Sequence, residues 1–418
     1  MSNGIQKYEN FFAALSRIAN TREMKAIQRG TYVGIFFLVG GTIALFFVFS
    51  NPDWKNSLLW SFRSSLAIMG LAISFAIAFY YLNKGKGRVL SGCVALAAFL
   101  LTLPMPASPA DFRPMMLEIS TSSILVGILI GLITGKAAYM ASSWAEKNRS
   151  VLSRFFFRYL LLPTVFIPAF WLMTALGFKI HPFVGAIVRH MIFLGDSLPA
   201  ALTVIFMICL LWYAGVHGPA VVGSIVTPIY LVTLSENLQA IQQNLPPPHT
   251  VTTVFFTMVF IGGGGCTLPL CVLMLRSKIR RIRYMARAAI LPGIFNINEF
   301  IIFGVPLVMN PYFFIPFFAA PLICGLLTYS MTYFRLAQPA HIFCPGFFPG
   351  PIAAFLGTQG DWGALLLTII NFFISYVIYR PFFEAFQKKV SEDTKEFSTE
   401  DSPAHKTDED RIAEPQIT

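Results

Sequence analysis

Glu299 stands in a stretch of chain where an ionised group is expensive. The segment Pro292-Gly293-Ile294-Phe295-Asn296-Ile297-Asn298-Glu299 opens onto an apolar run from Phe300 to Val308, and no other carboxylate lies between Glu236 and Asp361. A carboxylate at membrane depth costs on the order of 3 kcal/mol on insertion scales, and it persists where a polar partner or a water-filled cavity is close. Asn296 and Asn298 bring amide donors and acceptors of the kind a polyhydroxylated solute also seeks. A second polar segment, Trp212-Tyr213-Ala214-Gly215-Val216-His217-Gly218, closes an apolar run just before Pro219. A lone histidine beside an apolar run is usually a packed structural residue. Here the flanking glycines allow close backbone approach, and imidazole can both donate to and accept from a hydroxyl near neutral pH. A carboxylate and an imidazole of this kind could bind an alcohol and draw off its proton.

The elements that must position these groups are membrane helices. The chain has 418 residues, of which 56% are hydrophobic, 12% are charged and 42 are Phe. A soluble domain carries about 25% charged residues. Apolar runs near the roughly 20 residues needed to cross a bilayer recur along the chain, and their lack of strict alternation selects helix over barrel. The expectation is an all-α polytopic membrane protein with about ten transmembrane helices, re-entrant hairpins and amphipathic surface helices. Spans are expected near 31–50, 64–82, 89–105, 122–141 and 159–178, then near 199–216, 251–275, 311–333 and 363–380. Segments 182–197, 218–234, 292–309 and 339–359 are broken by Gly and Pro, as in the interrupted helices that build transporter sites. Residues 1–178 therefore read as scaffold, 179–385 as the solute-handling half, and 386–418, rich in charge and hydroxyls, as a disordered cytoplasmic tail.

The net charge of +11 lies largely in short loops, which points to topology and lipid contact rather than nucleic acid. Alternation of basic and neutral loops places the N-terminus in the cytoplasm, in the cell membrane of the source. Residues 1–30 read as a surface helix with Phe11, Phe12, Leu15 and Ile18 on one face. Arg280, Arg281 and Arg283, with Arg276, Lys278 and Arg287, form the densest basic run, which sets topology or also docks an acidic partner. The six cysteines have no metal spacing and read as buried small hydrophobes. No metal and no cofactor is expected, and the chain has no Walker loop.

The stretch Leu291–Pro311, with Asn296-Ile297-Asn298-Glu299 at its centre, resembles the signature of enzyme IIC. This is the sugar-transporting membrane component of bacterial phosphotransferase systems, and the resemblance is to its lactose/cellobiose/diacetylchitobiose branch. Trp212, Gly215, His217 and Gly218 are similar to the family's second signature. Ile261–Gly265, Phe355-Leu356 with Gly360-Asp361-Trp362, Tyr379–Phe383 and Asn20–Gly30 extend the resemblance over nearly the whole chain. It implies a homodimer with an N-terminal dimerisation half. The C-terminal half would carry one sugar, such as a β-linked disaccharide, to a phosphocysteine on a separate enzyme IIB, itself charged by enzyme IIA. By position, Glu299 and His217 would sit at the sugar's 6-hydroxyl, Asn296, Asn298 and Gly218 would shape the site, and Trp212 would be a wall. The family's Pro-Trp-Thr-Thr-Pro turn is replaced by Cys344-Pro345-Gly346-Phe347-Phe348-Pro349. Either Phe347 or Phe348 takes the place of the Trp against the sugar, or the sugar is smaller or absent. Two other readings compete: a proton-coupled or uncoupled secondary sugar transporter with Glu299 as proton carrier, and a non-transporting membrane sensor.

Overall fold

The computed structural model describes residues 21–31, 33, 55–82, 87–103, 108, 112–147, 150–305 and 307–400. The surface-helix face at Phe11–Ile18 and most of the first expected span, 31–50, lie outside them. Among the described residues every regular element is a helix, because backbone polar groups in hydrocarbon must be paired within each segment.

Helix α1 covers residues 22–31. It is followed by α2 (Lys55–Tyr81), α3 (Arg88–Leu101) and the long α4 (Phe112–Lys147). A short helix Val151–Phe155 and a π-helical turn Phe156–Leu160 lead into α5 (Leu161–Ala175), which bends by 82° into α6 (Ile180–Gly195). Helix α6 is amphipathic, with Ile180, Val184, Val188 and Ile192 buried on one face against α3 and α4. The second half begins with α7 (Leu198–Tyr213) and α8 (Gly218–Gln242). Short pieces follow: α9 (Thr253–Val259), α10 (Thr267–Leu275), α11 (Arg280–Ile294) and α12 (Glu299–Gly304). Helices α13 (Pro311–Tyr333), α14 (Gly350–Gly357) and α15 (Trp362–Glu400) complete the described chain.

Among the described residues, four helices are long and apolar enough to cross a membrane: Ser122–Lys147, Gly218–Gln242, Pro311–Tyr333 and Trp362–Glu392. The bent α5–α6 pair is a fifth if it counts as one span. The protein is thus a multi-pass membrane protein. Two expected elements are exchanged. Segment 218–234, expected to be broken, belongs to the continuous α8, which absorbs Pro228. Segment 251–275, expected to cross, is split into α9 and α10 around Gly262–Gly265, where Gly262, Gly263 and Gly265 all have positive φ. The helix through Trp362 continues to Glu400, past the expected boundary at 386. Its charged end is rich in Glu and Lys, which are good helix formers.

One core cluster lies wholly in the second half and gathers Ile205, Trp212, Phe255, Leu270, Phe313 and Tyr379 around α7, α10 and α13. A second joins Ala26 of α1, Ile73 and Ile77 of α2 and Leu234 of α8. The two sequence halves therefore meet along α8.

Candidate functional site

Helix α8 begins with His217 as its N-cap, and this fixes the imidazole. His217 Nδ1 accepts the Ala220 N–H at 3.0 Å, satisfying one of the donors left unpaired at a helix start. With its Nδ1 lone pair engaged, the neutral ring carries its proton on Nε2. That atom faces Glu299 Oε1 at 3.4 Å. The Trp212 ring packs beside the imidazole, centroid to centroid 4.5 Å, and braces it. Gly218 has a structural reason: a Cβ there would run into the carbonyl of Ile208, so only glycine lets α8 start this close to α7.

The other side of the dyad is a knot of loops held by two amides. Asn296 has a left-handed φ of +59°, which Asn tolerates better than most residues. Its Oδ1 accepts from Gly262 N at 2.9 Å, and its Nδ2 donates to the carbonyls of Gly346 and Phe348, both at 2.8 Å. Asn298 Nδ2 donates to the Gly264 carbonyl at 2.7 Å. The glycine loop passes so tightly that a Cβ at Gly263 would strike Asn298 and one at Gly264 would strike Trp212. Tyr379 Oη closes the loop from behind, donating to the Gly265 carbonyl at 2.6 Å.

These groups face a cavity of about 560 Å³. The structure brings Trp212, His217, Asn296, Asn298, Glu299 and Phe347 together on its wall. Gly218 and Phe348 do not line it: Gly218 packs on α7, and Phe348 packs against the core cluster of α1, α2 and α8. Arg280, Arg281 and Arg283 lie elsewhere, on α11, which leads directly into the Asn296–Glu299 segment. The Glu299 and His217 side chains retain 41% and 45% exposure, so both are reachable. Glu299 Oε2 and Trp212 Nε1 have no hydrogen-bond partner, although buried polar atoms are normally paired.

Tyr230, Phe256, Phe260 and Phe343 supply further aromatic wall that the sequence did not mark. They sit in apolar runs where nothing distinguishes a cavity face from a core face. A second polar knot also went unread. His249 lies between Asp196 (Nδ1 to Oδ2, 3.0 Å) and Glu236 (Nε2 to Oε2, 2.6 Å). Asp196 Oδ1 also accepts the Thr250 and Val251 N–H groups.

Residues 27–321 match a family model described as "Phosphotransferase system, EIIC". The chain is 30% identical to the lichenan permease IIC component of Bacillus subtilis (strain 168), over 96% of this chain and 97% of that protein. It is 30% identical to the cellobiose-specific EIIC component of Geobacillus stearothermophilus, over 89% and 92% of the two chains. Among solved structures it is similar to the transporter ChbC, the IIC component of an N,N'-diacetylchitobiose-specific phosphotransferase system. That match has a TM-score of 0.80 and 26% identity, and covers 91% of this chain and 98% of the other.

Proposed function

This chain belongs to the phosphotransferase-system EIIC family, and we propose that it carries a β-linked disaccharide across the cell membrane for phosphorylation of the 6-hydroxyl. The phosphoryl donor is a phosphocysteine on a separate enzyme IIB, charged in turn by enzyme IIA. The observation that carries this reading is the His217–Glu299 pair, 3.4 Å apart on the wall of a cavity of about 560 Å³. That volume lies within the roughly 300–1,000 Å³ of small-molecule sites, and the apolar rings at Trp212, Phe260 and Phe347 offer faces to a sugar. Gly346 stands where the family has its Trp; of the two phenylalanines after it that could take over its stacking role, Phe347 lines the cavity.

The chemistry needs little from this chain beyond placement and one base. The sugar 6-hydroxyl bonds to Glu299, which accepts its proton as the oxygen attacks phosphorus. The P–S bond of the donor breaks in line, and the cysteine leaves as thiolate. His217 Nε2–H holds Glu299 in position and donates to the reacting oxygen in turn. Positioning and charge stabilisation carry most of the catalysis in phosphoryl transfer. Asn296 and Asn298 shape the site through the loops they hold. The doubly charged phosphate ester is then trapped inside.

The finer organisation belongs to the same proposal: a homodimer in a lipid bilayer with both termini cytoplasmic, residues 1–178 as scaffold and 179–385 as the moving half. Glu299→Gln and His217→Ala test the chemistry. Phosphoenolpyruvate-dependent sugar phosphorylation, measured in vesicles with purified soluble components, should fall by about a hundredfold or more, while each variant still purifies folded. Wild-type rates in both variants would remove the catalytic assignment.

A further inference from the structure

Helix α8 presents one stripe, Pro219, Gly223 and Thr227, to the main cavity, and the same three residues wall a second, smaller chamber of about 100 Å³. The far wall of that chamber is helix α1, through Gln28 and Thr31, with Ser224 of α8 beside them. Gly223, which has no side chain, lies on the wall of both volumes. A Cβ built there would meet only Thr227 Oγ1, at an ordinary 3.5 Å, so the position has room that no packing contact requires.

Helix α1 is firmly held where it stands. Tyr81 Oη of α2 donates to Glu23 Oε1 at 2.6 Å, and Gly30 packs so closely on α2 that a Cβ would strike Ile77. Ser224 Oγ reaches Met24 Sδ at 3.5 Å. Within this packed contact one group is out of place. Thr31 is only 6% exposed, and its Oγ1 has no hydrogen-bond partner. A valine would fill the same space without the cost of an unpaired buried hydroxyl. At about 100 Å³ the chamber admits a hydroxymethyl group or a few waters, and a polar occupant there needs several polar partners. Thr31, Gln28, Ser224 and Thr227 line it; Ser224 Oγ donates to the Val221 carbonyl at 2.7 Å and is left as an acceptor.

We propose that this chamber is a hydroxyl-binding subsite of the sugar site. A hydroxyl-bearing arm of the carbohydrate projects past Gly223 to Thr31 and Gln28, directly or through one water, so the N-terminal helix takes part in substrate selection. The proposal rests on the reading that the main cavity holds a sugar. It adds residues from the opposite half of the chain, far in sequence from Glu299.

The test is calorimetric titration of the full-length protein in nanodiscs with glucose, cellobiose, lactose and diacetylchitobiose, alongside thermal melts. For the tightest binder, Thr31→Val should weaken affinity by about fivefold to tenfold, the span of one lost hydrogen bond. Its melting temperature should stay level or rise. Thr31→Ser should restore wild-type affinity, and Gly223→Leu, which plugs the junction, should weaken the same sugar at least as much as Thr31→Val. Wild-type affinity in Thr31→Val and Gly223→Leu would overturn the subsite and leave the Glu299 chemistry standing. A lowered melting temperature in Thr31→Val, in step with lost affinity, would also overturn it, because the hydroxyl would then be structural. Failure of the wild type to bind any of the four sugars would remove this proposal together with the reading beneath it.

Discussion

Asn296 bonds through each of its amide atoms to backbone of other loops: one acceptor bond from Gly262 and two donor bonds to Gly346 and Phe348. Its side chain therefore builds the cavity wall, whereas Glu299 Oε2 is bonded to no protein group. Residue type alone could not separate these roles, since an Asn one or three positions from a carboxylate suits either a sugar or a loop. The structural role has a measurable consequence. Asn296→Ala leaves an N–H and two carbonyls without partners and puts a Cβ residue without a local polar anchor at φ +59°. The expected loss is about 2–4 kcal/mol of stability in the sugar-free protein, read as a clear drop in melting temperature. Unchanged sugar-free stability with weakened sugar binding would instead make the amide a direct ligand. The sequence singled out Glu299 and His217 one by one, because each is a polar group beside a break in an apolar run, and the family resemblance placed them together. It could not show that Gly218 serves helix packing, because the carbonyl it avoids, that of Ile208, belongs to the preceding helix.

Helix α8 is the element on which the site depends, and it is anchored at both ends. Its start carries His217; near its end Glu236 bonds His249, and Asn237 bonds both the backbone of His249 and the Ala340 carbonyl. Continuity of this helix was hidden in the sequence by Gly218, Pro219, Gly223 and Pro228. Gly-Pro at a helix start is favourable, and an internal Pro is tolerated where neighbours re-satisfy the backbone. The opposite error at 251–275 has the opposite cause: four apolar-looking glycines read as part of a span, yet three adopt positive φ and break it. The anchor at His249 predicts a pH dependence. Burial opposes its charge, but the hydrogen bonds and negative charge of Asp196 and Glu236 outweigh that and raise the imidazole from 6.5 to about 9. A histidine with a raised folded value stabilises fully below its unfolded value and loses that contribution as pH rises through the folded one. Melting temperature should thus fall between about pH 6.5 and pH 9 and beyond. His249→Gln should start lower and show a flatter profile across that window. Parallel profiles for variant and wild type would mean that the imidazole is neutral in this knot.

At the scale of the whole molecule, the proposed reaction brings its two substrates from different places, the sugar through the cavity and the phosphoryl group on enzyme IIB. We propose that helix α11 serves the second. Ile282, Ala286, Ala289 and Gly293 bury one face, while Arg280, Arg281 and Arg287 stand exposed on the other. Among the described residues these arginines form no ion pair with a carboxylate; Arg280 bonds only the neighbouring Tyr284 hydroxyl, at 3.1 Å. The helix runs directly into Asn296, Asn298 and Glu299, so a partner seated on its basic face has a short path to the dyad. A basic run also sets membrane topology, and the two roles separate experimentally. Exposed charge acts mainly on encounter and is screened over about 8–10 Å at physiological salt. Charge reversal by Arg280→Glu with Arg281→Glu should raise the KM for phosphorylated enzyme IIB by about tenfold at low salt, with a smaller effect at high salt. The sugar Kd should not change, because neither residue lines the cavity. Equal losses in sugar binding and phosphoryl transfer would mean that the run orients the chain in the membrane and nothing more, and the docking face would have to be sought on another loop.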